Sequence, residues 1–278
     1  MNPVVIGLLG IIASLVFFIY DQNNRIAHTK IIIKSARLPS AFDGFKILHI
    51  SDLHNKSFGK NQAALIKKIE TIKPDIIVIT GDLIDRRRTA FKPVEDLLEG
   101  LKPIPIYFVP GNHEAWSSQY AELKALLIDK GVFVLENEAQ SISRNDSFID
   151  LYGLKDPGFN INKDNKVTHR ELINSSLEQW KPQSFSILLS HRPEYFNLYA
   201  QHKIDLSLSG HAHGGQIRLP YLGALIAPNQ GFFPKFSSGL YTKGSSSLFV
   251  SRGLGNSLFP FRLFNRPELI SIMLRLNH

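Results

Sequence analysis

The chain is expected to fold as a single α/β domain behind an N-terminal transmembrane helix, and three observations point there. Short apolar, β-branched runs alternate with stretches whose apolar residues recur at helical spacing. The polar residues that follow three of these runs, Asp52, Asp82 and Asn112, lie 30 positions apart (52 to 82, 82 to 112), the length of a strand, a helix and a return strand. Residues 3–20 carry no charge.

The N-terminal run is at the short limit of a bilayer span. A cleaved signal peptide needs a basic leader and a small-x-small exit, and Phe18-Ile19-Tyr20-Asp21 offers no such exit. A buried or amphipathic helix is the other reading, but the run has no polar face, so lipid is the simpler surrounding. Arg25, Lys30, Lys34 and Arg37 follow the run while only the terminal amine precedes it, which places the bulk of the chain on the cytoplasmic side. Residues 1–22 are thus expected to anchor, 23–45 to connect and supply a first strand, and 46–278 to form the main domain.

Ile31-Ile32-Ile33 and residues 46–50 read as strands, and residues 62–72 place Leu65, Ile66, Ile69 and Ile72 at helical spacing. The run 75–80 suits a buried strand, residues 93–101 a helix, and 106–109 a third parallel strand. A helix over 117–130 precedes short strands near 132–135, 140–143 and 148–152, then a polar loop at 155–165. The second half offers a helix at 170–180, a buried strand at 185–189, a short helix at 194–200 and a strand at 204–209. The tail is β-rich, with strands expected at 216–219, 248–251 and 269–274. No internal repeat or Pro/Gly linker marks a second domain, and 44% hydrophobic content is ample for one core.

A net charge of +8 and a pI near 9.5 favour anionic partners: nucleic acid, a membrane surface or a phosphorylated molecule. No aromatic-interleaved basic repeat, zinc-finger spacing or recognition helix appears, which disfavours nucleic acid. The chain has no cysteine, so there is no disulfide framework and no thiolate ligand; any metal must be held by oxygen and imidazole nitrogen. The polar residues after the strand-like runs are of that kind: Asp52, His54, Asp82, Asn112, His191, His211 and His213. Side chains at such ends converge on one rim. In His211-Ala212-His213 a strand would point both rings one way, whereas a loop could aim them at separate ions; Asp52 and His54 pose the same choice. Gly81, Gly111 and Gly210 each precede a candidate ligand, where a backbone without Cβ would let the strand turn sharply.

The strings Ser51-Asp52-Leu53-His54, Gly81-Asp82, Gly111-Asn112-His113-Glu114, Ser190-His191 and Gly210-His211-Ala212-His213, in this order, resemble the calcineurin-like metallophosphoesterase superfamily from about residue 46 to 213. The later strings Gly214-Gly215-Gln216-Ile217, Gly239-Leu240-Tyr241 and Val250-Ser251-Arg252-Gly253-Leu254-Gly255 resemble a bacterial membrane-anchored subgroup that includes phosphodiesterases and UDP-2,3-diacylglucosamine hydrolases. The resemblance implies a four-layer α/β/β/α sandwich and two divalent cations, manganese, iron, zinc or cobalt. It implies that Asp82 bridges them, that Asp52, His54 and His213 complete one shell, and that Asn112, His191 and His211 complete the other. His113 would stand beside the substrate, donating a hydrogen bond to a phosphoryl oxygen or protonating the leaving group.

Asp85 could orient a histidine or serve as a cap or turn residue. Arg86 and Arg87, in the run Arg86-Arg87-Arg88, could bind a second phosphate or an anionic headgroup, or form a solvated turn. Gly231-Phe232-Phe233-Pro234-Lys235-Phe236 and Leu258-Phe259-Pro260-Phe261 could wall an acyl-chain groove or be plain core. His28, His49, His169, His202 and His278 lie outside the motifs and read as core, surface or tail residues.

Phosphoester chemistry suits this set, because paired cations offset the charge that repels an attacking water and stabilise the transferring oxygens. The implied activity is a membrane-anchored hydrolase of a phosphodiester or pyrophosphate at the bacterial inner membrane, with UDP-2,3-diacylglucosamine of lipid A synthesis as the specific candidate. Some enzymes for that lipid carry arginine where this chain has His113, a departure that favours a general phosphodiesterase on another membrane or wall phosphodiester as the rival. A non-catalytic scaffold is the alternative of another class. No feature of the sequence names a protein partner.

Overall fold

The structure is a computed structural model that describes residues 2–160, 167–257 and 259–277. Most of the polar loop's second half, Leu258 and His278 therefore lie outside the described residues. Two six-stranded sheets face each other. The first has the order β1 (Ala27–Ser35), β16 (Glu268–Leu276), β2 (Lys46–Ile50), β3 (Ile76–Thr80), β4 (Ile106–Val109), β5 (Phe133–Val134). The second runs β14 (Gly239–Lys243), β15 (Ser246–Val250), β9 (Leu206–Ser209), β8 (Ser186–Ser190), β7 (Ser147–Leu154), β6 (Glu138–Arg144).

The apolar runs are apolar throughout because their strands are buried on both faces. In β3, Ile76 and Val78 point inward to the layer shared with Ile187, Leu189, Leu208 and Phe249 of the second sheet. The alternate residues Ile77 and Ile79 point outward, under α2 (Ala63–Ile72), α3 (Lys92–Gly100) and α5 (Tyr120–Asp129), against Leu65, Ile69, Val94 and Leu123. The outer face of the second sheet is covered by α6 (His169–Gln179) and α7 (Phe196–Gln201) through Ile173, Leu177, Leu198 and Tyr199. Helices thus flank a mixed α/β sheet sandwich. Each fully buried aliphatic side chain contributes roughly 1.5–3 kcal/mol, so the layer between the sheets and the two helix-covered faces all stabilise the fold.

Several boundaries differ from expectation. The helix expected over 117–130 is α5, and a short α4 (Asn112–Ala115) that was not expected precedes it, because Asn112 begins its own turn soon after β4. The strand expected at 216–219 is only β10 (Arg218–Leu219), which pairs with β11 (Gly223–Ala224); a second short hairpin joins β12 (Ile226–Ala227) to β13 (Gly231–Phe232). The first strand is integral to the main sheet: β1 runs parallel to β16 over nine residue pairs.

Before it, α1 (Pro3–Asn24) is 22 residues long, with mean hydropathy 2.5 over its apolar window and none of that window buried. At 1.5 Å per residue it is about 33 Å long. Its last turn is held to the body, where the Arg266 guanidinium binds Asp21.

Candidate metal centre

The parallel strands β2, β3, β4, β8 and β9 end together, and each candidate ligand follows within three residues of a strand end: Ile50, Thr80, Val109, Ser190 or Ser209, with only His54 and His213 set slightly further on. All seven are buried. They form two groups, Asp52, His54, Asp82 and His213, and Asp82, His191 and His211; Asp82 belongs to both. Asn112 joins the second, its Oδ1 lying 3.0 Å from His191 Nε2. In the first group His213 Nε2 is 3.3 Å from Asp52 Oδ1 and 3.2 Å from His54 Nε2. In the second, His191 Nε2 is 3.2 Å from Asp82 Oδ2 and 3.1 Å from His211 Nδ1. The loop, not the strand, is the conformation of residues 211–213, and it sends the two rings to different groups.

The chain turns into the site through the ligand positions themselves. Asp52, His54, Asp82, His211 and His213 have φ of 53, 46, 54, 66 and 50°, in the left-handed region that costs most residues energy and persists where surroundings over-determine it. The expectation for the glycines holds at Gly81, with φ of 86°. At Gly111 and Gly210 the reason is close approach instead. A Cβ on Gly111 would strike the Asp82 carboxylate, and one on Gly210 would overlap Ser51 Oγ and the Asp52 carboxylate.

Burial and charge act against each other here. Burial raises the Asp52 carboxyl to about 6, whereas the charge and hydrogen bond of His191 overcome burial and hold Asp82 well below the usual range. Burial also opposes a proton on His191, but Asp82 and Asp52 together push that ring up to about 10. His54 is pushed down to about 3 and His213 well below its ordinary value, chiefly by burial, so both rings are neutral. Their Nε2 atoms face one another while both Nδ1 atoms make no hydrogen bond. Two neutral rings aimed nitrogen to nitrogen beside a carboxylate have their lone pairs best satisfied by a cation. The donor set of two carboxylates, one amide and four imidazoles is the oxygen and nitrogen chemistry of two divalent ions.

Other contacts orient these donors. The Thr80 carbonyl accepts from His191 Nδ1 at 2.7 Å, which turns Nε2 toward the group, and Asn229 lies 3.2 Å from His211 Nε2. Asp85 does not hydrogen-bond a histidine. Its carboxylate accepts from Arg87 at 3.0 and 2.7 Å, and His113 Nδ1 is 3.7 Å away. His113 Nδ1 instead accepts the Arg86 backbone N–H at 3.2 Å. Arg86 lies over the Trp116 ring at 4.5 Å, and both arginines line a cavity of about 190 Å³ with His113, Asn112 and Asp82. Phe232, Phe233, Phe259 and Phe261 are exposed, so they are not core; Phe236 is buried. His49 is a core residue, 2.7 Å from Thr80 Oγ1, and burial pushes it down to about 3.

Sequence reasoning passed over Glu114. Its buried carboxylate accepts from the backbone N–H of Asp82 (2.7 Å), Gly111 (2.8 Å) and Ile84 (3.3 Å). The available signal was an acidic residue in the first turn of a helix that opens on Gly111, where such a side chain reaches back to free N–H groups.

Among known proteins, residues 45–215 match the family model described as calcineurin-like phosphoesterase. The metallophosphoesterase YkuE of Bacillus subtilis is 35% identical over 262 residues, which cover 92% of this chain and 88% of that protein. A Bos taurus transmembrane protein with a metallophosphoesterase domain is 33% identical over 90% of this chain, which spans 57% of that longer protein. Phosphodiesterase YaeI of Escherichia coli is 30% identical over 83% of this chain and 82% of its own length.

Proposed function

This chain belongs to the calcineurin-like phosphoesterase family and is a metal-dependent phosphoester hydrolase, and from that premise we propose that it is a membrane-anchored phosphodiesterase acting on a lipid-linked phosphodiester or pyrophosphate. Asp52, His54, Asp82 and His213 would hold one divalent ion, and Asp82, Asn112, His191 and His211 would hold the other. The membership of Asp82 in both buried groups carries this assignment. When bound, the ions supply positive charge at the phosphoryl oxygens and lower the pKa of an attacking water from about 15.7 toward about 7.

The remaining chemistry belongs to side chains of the cleft. Because His113 Nδ1 accepts a backbone N–H, its proton sits on Nε2, and burial keeps the ring neutral by lowering its pKa. That tautomer supports a hydrogen bond donated to a phosphoryl or leaving-group oxygen over full proton transfer. The Asp82 Oδ1 atom accepts the His113 backbone N–H at 2.8 Å, so the bridge and the donor are held in register. Arg86 adds charge at the mouth; Arg87 reaches the same cavity but is largely engaged by Asp85.

Residues 1–22 act as the anchor, a single pass at the bacterial inner membrane with the two-sheet body, β1 included, on the cytoplasmic side; the exposed apolar α1 and the basic residues after it support this. The specific substrate proposed is UDP-2,3-diacylglucosamine, cut at its pyrophosphate to UMP and a lipid monophosphate, with the exposed phenylalanines as acyl contacts. The full set of buried donors disfavours a scaffold without activity.

Hydrolysis of bis-(p-nitrophenyl) phosphate with manganese is expected of the parent chain and to fall to background in folded Asp82→Ala and His211→Ala proteins. Absence of metal-dependent turnover across a broad diester panel would favour the scaffold. UMP release from UDP-2,3-diacylglucosamine in detergent tests the lipid itself, and activity on simple diesters alone would eliminate it in favour of another phosphodiester.

A further inference from the structure

The foot of α1 and the wall of the cleft are one assembly. Asn23 Oδ1 accepts the Arg262 backbone N–H at 2.8 Å and the Asn256 side-chain amide at 3.2 Å, and the Asn23 carbonyl accepts the Lys56 ammonium. One turn earlier, Phe18 packs on Phe264 with ring centroids 5.4 Å apart. Lys56 and Asn256 among them also line a cavity of about 640 Å³ whose walls include His54, Arg88 and Pro260. Ser257 lines it, lines the cavity over Asp82 and His113, and lines a third, mostly apolar cavity of about 180 Å³ with Ile226 and Phe259. A basic hollow, the reacting centre and an apolar slot are therefore contiguous.

Phe259, Phe261 and Phe264 are each between 42% and 48% exposed, on the segment that Asn23 holds. Large apolar side chains left in water beside the end of an apolar helix are stabilised if the bilayer surface covers them. A helix of about 33 Å matches the roughly 30 Å hydrocarbon layer, which puts its foot at the headgroups. The exposed Arg88 on the wall of that hollow is then offered to the layer where anionic lipid charge is concentrated.

We propose that the catalytic cleft opens onto the bilayer itself: the segment bearing Phe259, Phe261 and Phe264 lies in the headgroup layer at the foot of α1, and the protein takes a phosphoester still embedded in the membrane, its anionic headgroup drawn onto Arg88. This rests on α1 being a membrane anchor. It differs from a merely tethered enzyme, whose cleft could face any direction and whose substrate could come from solution.

The test uses the full chain in phosphatidylethanolamine/phosphatidylglycerol vesicles, with Phe259→Trp or Phe261→Trp as reporters and Phe148→Trp, on β7 beside the edge strand β6 of the second sheet, as the reference. Brominated lipids of the same composition are the quencher, each signal is corrected for the parent's Trp116 and Trp180, and the far-UV circular dichroism spectrum and melting temperature verify each fold. Flotation with the vesicles and quenching at either Phe259→Trp or Phe261→Trp at least twice that at Phe148→Trp are expected. Flotation with no excess quenching at either position overturns the proposal and leaves the anchor standing. Failure to float overturns the anchor and the proposal with it.

Discussion

At the scale of single residues, Glu114 is the tie between two loops that each carry donors. Its carboxylate satisfies the N–H groups of Asp82, Gly111 and Ile84, all buried. Burial and the charge of Asp82 raise it to about 7, so its ionised form is retained against its surroundings by those three backbone bonds. Each buried N–H left without an acceptor costs about 1–3 kcal/mol. Glu114→Ala is therefore expected to lose more than about 3 kcal/mol of stability, whereas Glu114→Gln keeps a carbonyl acceptor and loses less. Urea denaturation of the two variants measures the difference; equal losses would show that the carboxylate acts by charge and not by accepting these bonds.

At the scale of elements, the join between α1 and the body is built from few groups. Asn23 accepts from Arg262 and Asn256, and its side chain donates to Ile19 and Arg262 carbonyls at 2.8 and 3.3 Å. Its replacement by alanine leaves several of these unpaired where the helix meets the cleft wall. Asn23→Ala is expected to cost about 1–2 kcal/mol locally, read as faster amide exchange around Asn256 and Arg262 with β3 and β8 unchanged. Exchange that rises across both sheets would instead mark Asn23 as a determinant of global stability. The parallel strands are more robust, since each of their donors follows a strand end pinned by neighbours on both sides.

For the whole molecule, the metal-stripped protein carries opposed titrations. His54, His211 and His213 are held neutral mainly by burial, so their contribution is present above the ordinary histidine value and is lost as pH falls below it. Asp52, raised to about 6, and Glu114, raised to about 7, both chiefly by burial, oppose that acid-side loss with two protons against three. His191 is raised to about 10, because the carboxylates outweigh its burial; its contribution is present below about 6.5 and is lost as pH rises toward 10. The melting temperature in chelator is thus expected to peak near pH 6.5 and decline on both sides. A bound cation displaces the His191 proton, so the gain on adding manganese should grow with pH from neutral to mildly alkaline. A melting temperature in chelator that climbs steadily through that range would contradict the charge arrangement.

The alternation of apolar and helical runs was legible because burial imprints its period on neighbouring residues: Ile76 and Val78 face one layer, Ile77 and Ile79 the other. The donor types were legible too, since a chain without cysteine offers a cation only oxygen and imidazole. Which donors meet was decided by the tertiary structure alone. His211 N–H reaches the Asp52 carboxylate across 159 positions, and the loop conformation of 211–213 parts two histidines that a strand would have kept together. The same is true of Glu114 as a tie, of the close packing that excludes a side chain at Gly111 and Gly210, and of the cleft at the foot of α1. Local periodicity follows from what each residue does with water, whereas convergence depends on contacts between sheets that no short stretch of chain contains.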